Sequence, residues 1–321
     1  MNNYKKIEKN AVKYFQKTKK YDTIGGKPLY TTKKYFDYEA FHAECGFDLA
    51  KHSSIGCGGM ADIVFYPTSI AELTELLKKL EKDGIPYYVL GNMSNVLPSD
   101  SGTARAIVRL RKINGVVCEK GAFAYAGASS KDLLNACKTA GLGGAEFLYG
   151  IPCTIGGAVF MNAGAGERYI AEIIENVLVY RKGEIKTLSV KECGYSYKKS
   201  VFMENGDVII GCLLRLEKTD AETIAKNVQL YAERRRHLPK GRSMGCTFKN
   251  PQGAFAGDLI EKCGLKGLKI GGAYISKQHA NFIINEGGAT AQDVRALIEK
   301  MKGAVRIKFG IELQEEIRYL D

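Results

Sequence analysis

The chain has 321 residues, 45% of them hydrophobic, enough for two or three substructures; no apolar run reaches the roughly 18 residues of a membrane span, and the opening "MNNYKKIEKNAVKYFQKTKKY" lacks a signal peptide's apolar centre, so a cytoplasmic protein is expected. Nine cysteines, odd in number and irregularly spaced, predict reduced thiols, and without a CxxC pair or a convincing His and Cys cluster (only His42 and Cys45 are close) no metal site is expected. The net charge of +12 admits nucleic acid, but Lys and Arg gather before residue 40 and at Arg234 to Arg236 without a ribonucleoprotein-type signature, and a basic cleft for a diphosphate or plain solubility explains the charge as well.

The first 40 residues read as a basic helix and an irregular extension. "DIVFYP" then predicts a strand, and Ser69 with Glu72 a capping box opening the helix "IAELTELLKKLEKDG", whose Ile70, Leu73, Leu76, Leu77 and Leu80 share a face. "IPYYVL" reads as a buried strand running into "GNMSN". "GVVCEKGAFAYAG" and "NVLVYRKGEIKTL" each place Lys-Gly between apolar runs and predict hairpins, with the helix "SSKDLLNACKTAG" between them. Beyond Asp220 come the helix "DAETIAKNVQLYAERRR", the run "ANFIINEGG", and a helix from Ala291 with Thr290 and Asp293 as cap residues. "IELQEEIRYL" closes as a strand with Leu313, Ile317 and Tyr319 on one face and Gln314, Glu316 and Arg318 on the other. Strand runs mixed with helix runs indicate an α+β protein.

Five stretches carry possible chemistry. "GCGGMA", Gly56 to Ala61, fits the dinucleotide pattern GxGxxA, but a strand follows it where that motif needs a helix, so a tight turn between strands is expected. "VLGNMSNVLPSD" can present successive N–H groups to a phosphate or be an ordinary Asn-rich turn. In "GAEFLYGIPCTIGGAVFMNAGAG", Gly144 to Gly166, dense glycine speaks against a stable helix or ordinary strand and for backbone pressed against a flat partner, either a cofactor ring or other backbone. "GYSYKKSVF" alternates as a half-exposed strand. In "RSMGCTFKNP", Cys246 reads as a buried core thiol or as an acid. Glu316 by itself is an ordinary solvated carboxylate.

In their order, "LGNMSN", "GIPCTIGGAVFMNAGA", "YSYKKSVF", "GCTFKNP", "HANFIIN" and "LQEEIRYL" resemble the UDP-N-acetylenolpyruvoylglucosamine reductase family, from about residue 47 onward. The resemblance implies a two-lobed FAD-binding domain of the vanillyl-alcohol-oxidase type over 47–218 (lobes 47–112 and 113–218), a smaller α+β substrate domain over 219–321, and an N-terminal extension over 1–46. It implies FAD as cofactor, NADPH as reductant, and reduction of UDP-N-acetylglucosamine enolpyruvate to UDP-N-acetylmuramate for the peptidoglycan of the cell wall. Gly91, Asn92, Met93, Ser94 and Asn95 match its pyrophosphate loop. Gly150, Ile151, Pro152, Thr154, Ile155, Gly156, Gly157, Asn162 and Gly164 match the stretch along the flavin. Lys198, Cys246 and Glu316 match the catalytic positions, with Cys246 where a serine proton donor is usual, and Tyr197, His237, Lys249 and Asn250 match substrate contacts.

Four departures stand against that pattern. Met93 replaces a loop glycine, where its side chain would obstruct the pyrophosphate or force a different turn. Cys153 replaces the glycine after "GIP", and Gly166 a tyrosine. Lys198 keeps arginine's charge without its bidentate fork. They motivate an alternative: a divergent paralogue of the same fold that binds a nucleotide-sugar or regulates, with little or no reductase activity.

Overall fold

The computed structural model describes Tyr38 and residues 40 to 321; the basic helix expected near the start lies outside the described residues. The chain enters the first sheet at β1 (Ala43–Asp48), so the sheet begins four residues before the expected boundary at 47. Phe47 fixes this, buried opposite Ala61 of the antiparallel neighbour β2 (Met60–Phe65). The one-turn helix α1 (Leu49–His52) joins β1 to "GCGGMA", which is therefore a turn from helix to strand rather than from strand to strand, with Gly56 and Gly58 at φ 70° and 123°.

Helix α2 (Ile70–Lys82) buries Leu73, Leu76, Leu77 and Leu80. Its cap is half of the expected box: Ser69 Oγ accepts from the Glu72 N–H at 3.1 Å, but the Glu72 carboxylate accepts from the Thr68 N–H and hydroxyl at 2.8 and 2.6 Å. Strand β3 (Tyr87–Leu90), expected buried, is half-buried along its length because it forms part of a cleft wall. After β4 (Val96–Pro98) the chain returns as β5 (Ala106–Arg109), giving a sheet ordered β1-β2-β5-β3.

The second sheet is antiparallel. It contains β6 (Val116–Cys118), β7 (Ala122–Tyr125), β8 (Ile174–Arg181), β9 (Glu184–Ser189) and β10 (Val208–Leu214), in the order β9-β8-β10-β7-β6. Both Lys-Gly hairpins form; Lys182 and Gly183 take φ 47° and 85°, the left-handed pair a tight two-residue hairpin needs. Between β7 and β8 lie α3 (Ser130–Ala140) and α4 (Ile155–Met161).

Helix α4 overturns the expectation that the glycine-rich stretch has no helix. Thr154 Oγ1 caps it by accepting from the Gly157 N–H at 3.2 Å, and Ile155, Ala158 and Val159 bury against the core. Gly156 lets the helix lie on β7's continuation, since a Cβ there would stand 2.8 Å from the Ala126 Cβ. Tertiary burial has outweighed a poor intrinsic propensity.

The last region holds α5 (Ala221–Arg235), α6 (Ala256–Lys262), a small sheet of β11 (Lys269–Ile270), β12 (Ala273–Ile275) and β13 (Ile283–Asn285), and α7 (Ala291–Phe309) with its Thr290–Asp293 capping box. The expected final strand from Ile311 is paired as β14 only over Arg318–Leu320, parallel to β4. Before that the segment changes partner: Glu316 N–H donates to Thr247 O at 2.8 Å, and Arg318 N–H to Asn95 O at 2.9 Å. "GYSYKKSVF" is likewise a tight turn and no strand, with Ser196 and Lys199 exchanging two 3.1 Å backbone hydrogen bonds and Lys198 at φ 53°.

Three buried clusters result. The largest joins the helix side of the first sheet to the second sheet; another unites the last region with Ile55, Cys57 and Leu97. A small third one packs Phe47, Leu49, Ala61, Val64, Ile107 and Leu320 around Met93. Among the described residues no helix is long and apolar enough to cross a membrane.

Candidate active site

A cleft of about 1150 Å³ opens where these parts meet. One wall is the loop Gly91–Asn95 that follows β3. Gly91 is required there: a Cβ would come within 2.3 Å of Thr154 Oγ1. Asn92 Nδ2 donates to Pro152 O at 3.3 Å, tying this loop to the glycine-rich wall opposite. Among the described residues, the N–H groups of Asn92, Met93, Ser94 and Asn95 have no acceptor, although all four residues line the cleft. By contrast, the amides of Ile155, Gly156 and Gly157 at the start of α4 are satisfied by Ala128 O, Ala126 O and Thr154 Oγ1. An anion in this cleft is therefore met by the loop rather than by the helix end.

Met93 departs from the sequence expectation. It supplies the left-handed backbone that glycine usually provides, at φ 51°, and although it lines the cleft the residue is only 2% exposed, packed in the small third cluster.

Of the glycine-rich stretch, Gly150, Ile151, Pro152, Thr154, Gly156, Gly157 and Gly164 line the cleft, and so do Cys153 and Gly166. Ile155 and Asn162 do not. Ile155 lies wholly beneath the wall. Asn162 closes α4 at φ 46°, donating from Nδ2 to Ser196 O at 2.9 Å and accepting on Oδ1 from the Ala171 N–H at 3.2 Å. It thus holds the turn that carries Lys198.

At the far end Lys198 Nζ lies 2.9 Å from Glu316 Oε1, with the two side chains only 17% and 14% exposed. Burial pulls the Lys198 pKa down, but the charge and hydrogen bond of Glu316 outweigh it, leaving the ammonium above its ordinary value. Cys246, aligned with Phe282 by a single bridge, has its thiol pushed up to about 11, first by burial and then by Glu316, against the opposing pull of Lys198 and Arg235. The sulfur is a protonated thiol across the neutral range.

Tyr197, half-open at the tip of the Lys198 turn, accepts from the Asn250 N–H at 3.3 Å and meets the Tyr169 ring edge-on at 6.1 Å. Both Tyr197 and Asn250 line the cleft. His237 and Lys249 do not: His237 is exposed at the end of α5, where Leu238 and Pro239 turn inward in its place.

Sequence reasoning missed Arg235 and Tyr169. Arg235 lies against Gly150, where a Cβ would meet its Nε at 2.9 Å, and burial lowers its pKa. A signal was present: on α5, Ile224, Val228, Tyr231 and Arg235 fall on one helical stripe, so of three consecutive arginines only Arg235 faces inward. With Arg111, Lys198, Arg242 and Arg318 against Asp207 and Glu316, cations dominate the cleft lining.

Residues 236–320 match the model of the UDP-N-acetylenolpyruvoylglucosamine reductase C-terminal domain, and residues 61–189 match that of an FAD binding domain. The chain is 37% identical over 276 residues to the UDP-N-acetylenolpyruvoylglucosamine reductase of Clostridium perfringens (strain SM101), covering 85% of this chain and 91% of that one. It is 40% identical over 273 residues to that of Shouchella clausii, covering 84% and 88%. The crystal structure of the Thermus caldophilus reductase superposes with a TM-score of 0.77 at 33% identity, over 88% of this chain and all of that one. A loop whose amides find no acceptor among the described residues, a glycine-lined wall and a carboxylate-paired cation beside a protonated thiol thus occur in a chain that belongs to the UDP-N-acetylenolpyruvoylglucosamine reductase family, a family of FAD-dependent oxidoreductases that act on a UDP-sugar.

Proposed function

We propose that this cleft carries out the NADPH- and FAD-dependent reduction of UDP-N-acetylglucosamine enolpyruvate, with Cys246 as proton donor. The observation that carries the proposal is the juxtaposition of a thiol raised to about 11 with the 2.9 Å Lys198–Glu316 pair. The need for NADPH supports a cytoplasmic location, and the buried clusters support a division into an FAD-binding part near 47–218 and a substrate part near 219–321.

The residues present suit FAD: the amides of Asn92 to Asn95 would hold its pyrophosphate, and the backbone from Gly150 to Gly164 would lie along its rings. Bound FAD would supply hydride from NADPH to the enolpyruvyl double bond. Lys198 offsets the negative charge that builds on the substrate's carboxylate side, and Glu316 fixes its ammonium. Cys246 delivers its proton to the neighbouring carbon, completing addition of hydride and proton across the double bond. A thiol is a far stronger acid than a serine hydroxyl, yet at about 11 it still keeps its proton at neutral pH. Tyr197, Asn250, Arg235 and Arg242 hold the UDP-sugar and its diphosphate.

The test separates the half-reactions. In Cys246→Ala, NADPH should still bleach the flavin absorbance while UDP-N-acetylmuramate fails to form, and Cys246→Ser should restore product. Full turnover by the alanine variant would refute the role of Cys246. The alternative reading as a binding protein is weakened by the burial of Met93 in the small third cluster; substrate-dependent NADPH oxidation would exclude it.

A further inference from the structure

Arg109 ends β5 directly opposite Leu90 of β3, behind the wall of the cleft, and is itself absent from the lining. It is 2% exposed. Its Nη2 donates to Gly91 O at 3.1 Å, while Nε and Nη1 are buried without a close hydrogen-bond partner among the described residues. The guanidinium stands over the Phe47 ring at 5.6 Å and makes no ion pair among the described residues. Burial and then Arg111 pull its pKa down, so the site as it stands disfavours the charge. Of the groups that face it, Tyr66 offsets the charge in part through its charge and a loose side-chain hydrogen bond, and Glu44 through its charge, with the Tyr66 hydroxyl donating to Glu44 at 3.2 Å; Arg111 and His52 face it without compensating it.

A buried cation lacking a full partner is costly in a folded protein. Leucine or methionine would fill this position among Phe47 and its neighbours without that cost. The cation's direct bond to the backbone goes to the first residue of the loop whose next four amides have no acceptor among the described residues.

We propose that Arg109 is a positioning residue for the cofactor's pyrophosphate: it holds the Gly91 carbonyl and gives the back of the Gly91–Asn95 loop a fixed positive charge that the bound diphosphate offsets. The proposal rests on the reading of this loop as the pyrophosphate site. Arg109 touches neither cofactor nor substrate; it acts through Gly91 and through its field, which the low dielectric behind the wall screens less than water would.

The experiment measures FAD affinity of the purified FAD-free protein by flavin fluorescence, together with its melting temperature, for wild type, Arg109→Met and Arg109→Lys. Arg109→Met should bind FAD about tenfold or more weakly, and Arg109→Lys, which keeps the charge, should stay within about threefold of wild type. The FAD-free Arg109→Met protein should melt no lower than wild type, because it no longer buries an ill-partnered charge. The proposal is overturned if Arg109→Met stays within about threefold of wild type, or if Arg109→Lys binds as weakly as Arg109→Met, which would make shape the requirement. Wild-type protein that binds no FAD would sink the reading of the loop as well, an outcome distinct from either.

Discussion

The proposed acid, Cys246, can serve only while it keeps its proton, and its surroundings keep it there. Burial comes first and Glu316 second in pushing the thiol up to about 11; Lys198 and Arg235 oppose them. Turnover should therefore persist well above neutral pH and fall only as the thiol ionises, and a pH–rate profile of Cys246→Ser should lack that alkaline limb. Glu316 disfavours the thiolate, so Glu316→Gln must lower the Cys246 pKa. Alkylation of Cys246 by iodoacetamide at about pH 8, slow in wild type, should then accelerate several-fold, as peptide mass mapping would show; an unchanged rate would contradict the coupling. The three catalytic candidates were legible because each lies in a separate recognisable motif. Arg235 was not, since among Arg234 to Arg236 its neighbours read as a solvated charge cluster and only helical phase distinguishes it. His237 and Lys249 came from the resemblance alone, and neither lines the cleft.

Periodicity served the long elements well and the short ones poorly. Helices α2, α5 and α7 follow their caps and apolar stripes, as do both Lys-Gly hairpins. Helix α4 and the Lys198 turn were misread because glycine content and alternation describe local preference, while burial and long-range hydrogen bonds decide the outcome. Asn162 is the link between the two. Asn162→Gly keeps the left-handed backbone but strips the bonds to Ser196 O and the Ala171 N–H, leaving partly buried groups unpaired at about 1–3 kcal/mol. It should lower kcat through a looser Lys198 while leaving FAD affinity near wild type. At Met93 two effects compete: glycine would relieve roughly 1–2 kcal/mol of left-handed strain but remove a buried side chain worth about 2–5 kcal/mol. Met93→Gly should thus destabilise the protein by roughly 2 kcal/mol in urea titration, with the loop still able to bind FAD.

Over the whole molecule, the α+β class followed from the mixture of runs, whereas the order of motifs pointed to a family and left open which parts would meet. The sheet's early start at Ala43 was less visible, because β1 is a mostly half-exposed strand whose register depends on Phe47 against Ala61. Nor did sequence show that the final segment divides its pairing between Thr247 and Asn95. That division couples the two ends of the cleft: Asn95 Nδ2 also donates to Glu316 O at 2.9 Å. Asn95→Ala should consequently weaken FAD binding and slow turnover together, whereas a loop confined to cofactor binding would change affinity alone; equilibrium titration and steady-state kinetics on the same preparation distinguish them. The same bond joins residues 221 positions apart, which has a meaning during synthesis. A ribosome translates Gly91 to Asn95 long before Glu316 and β14 leave its exit tunnel. Until then the nascent loop has neither the Asn95–Glu316 bond nor the β4–β14 pairing, so flavin capture should wait until β14 has left the tunnel, and ribosome-stalled chains ending before Glu316 should hold FAD poorly.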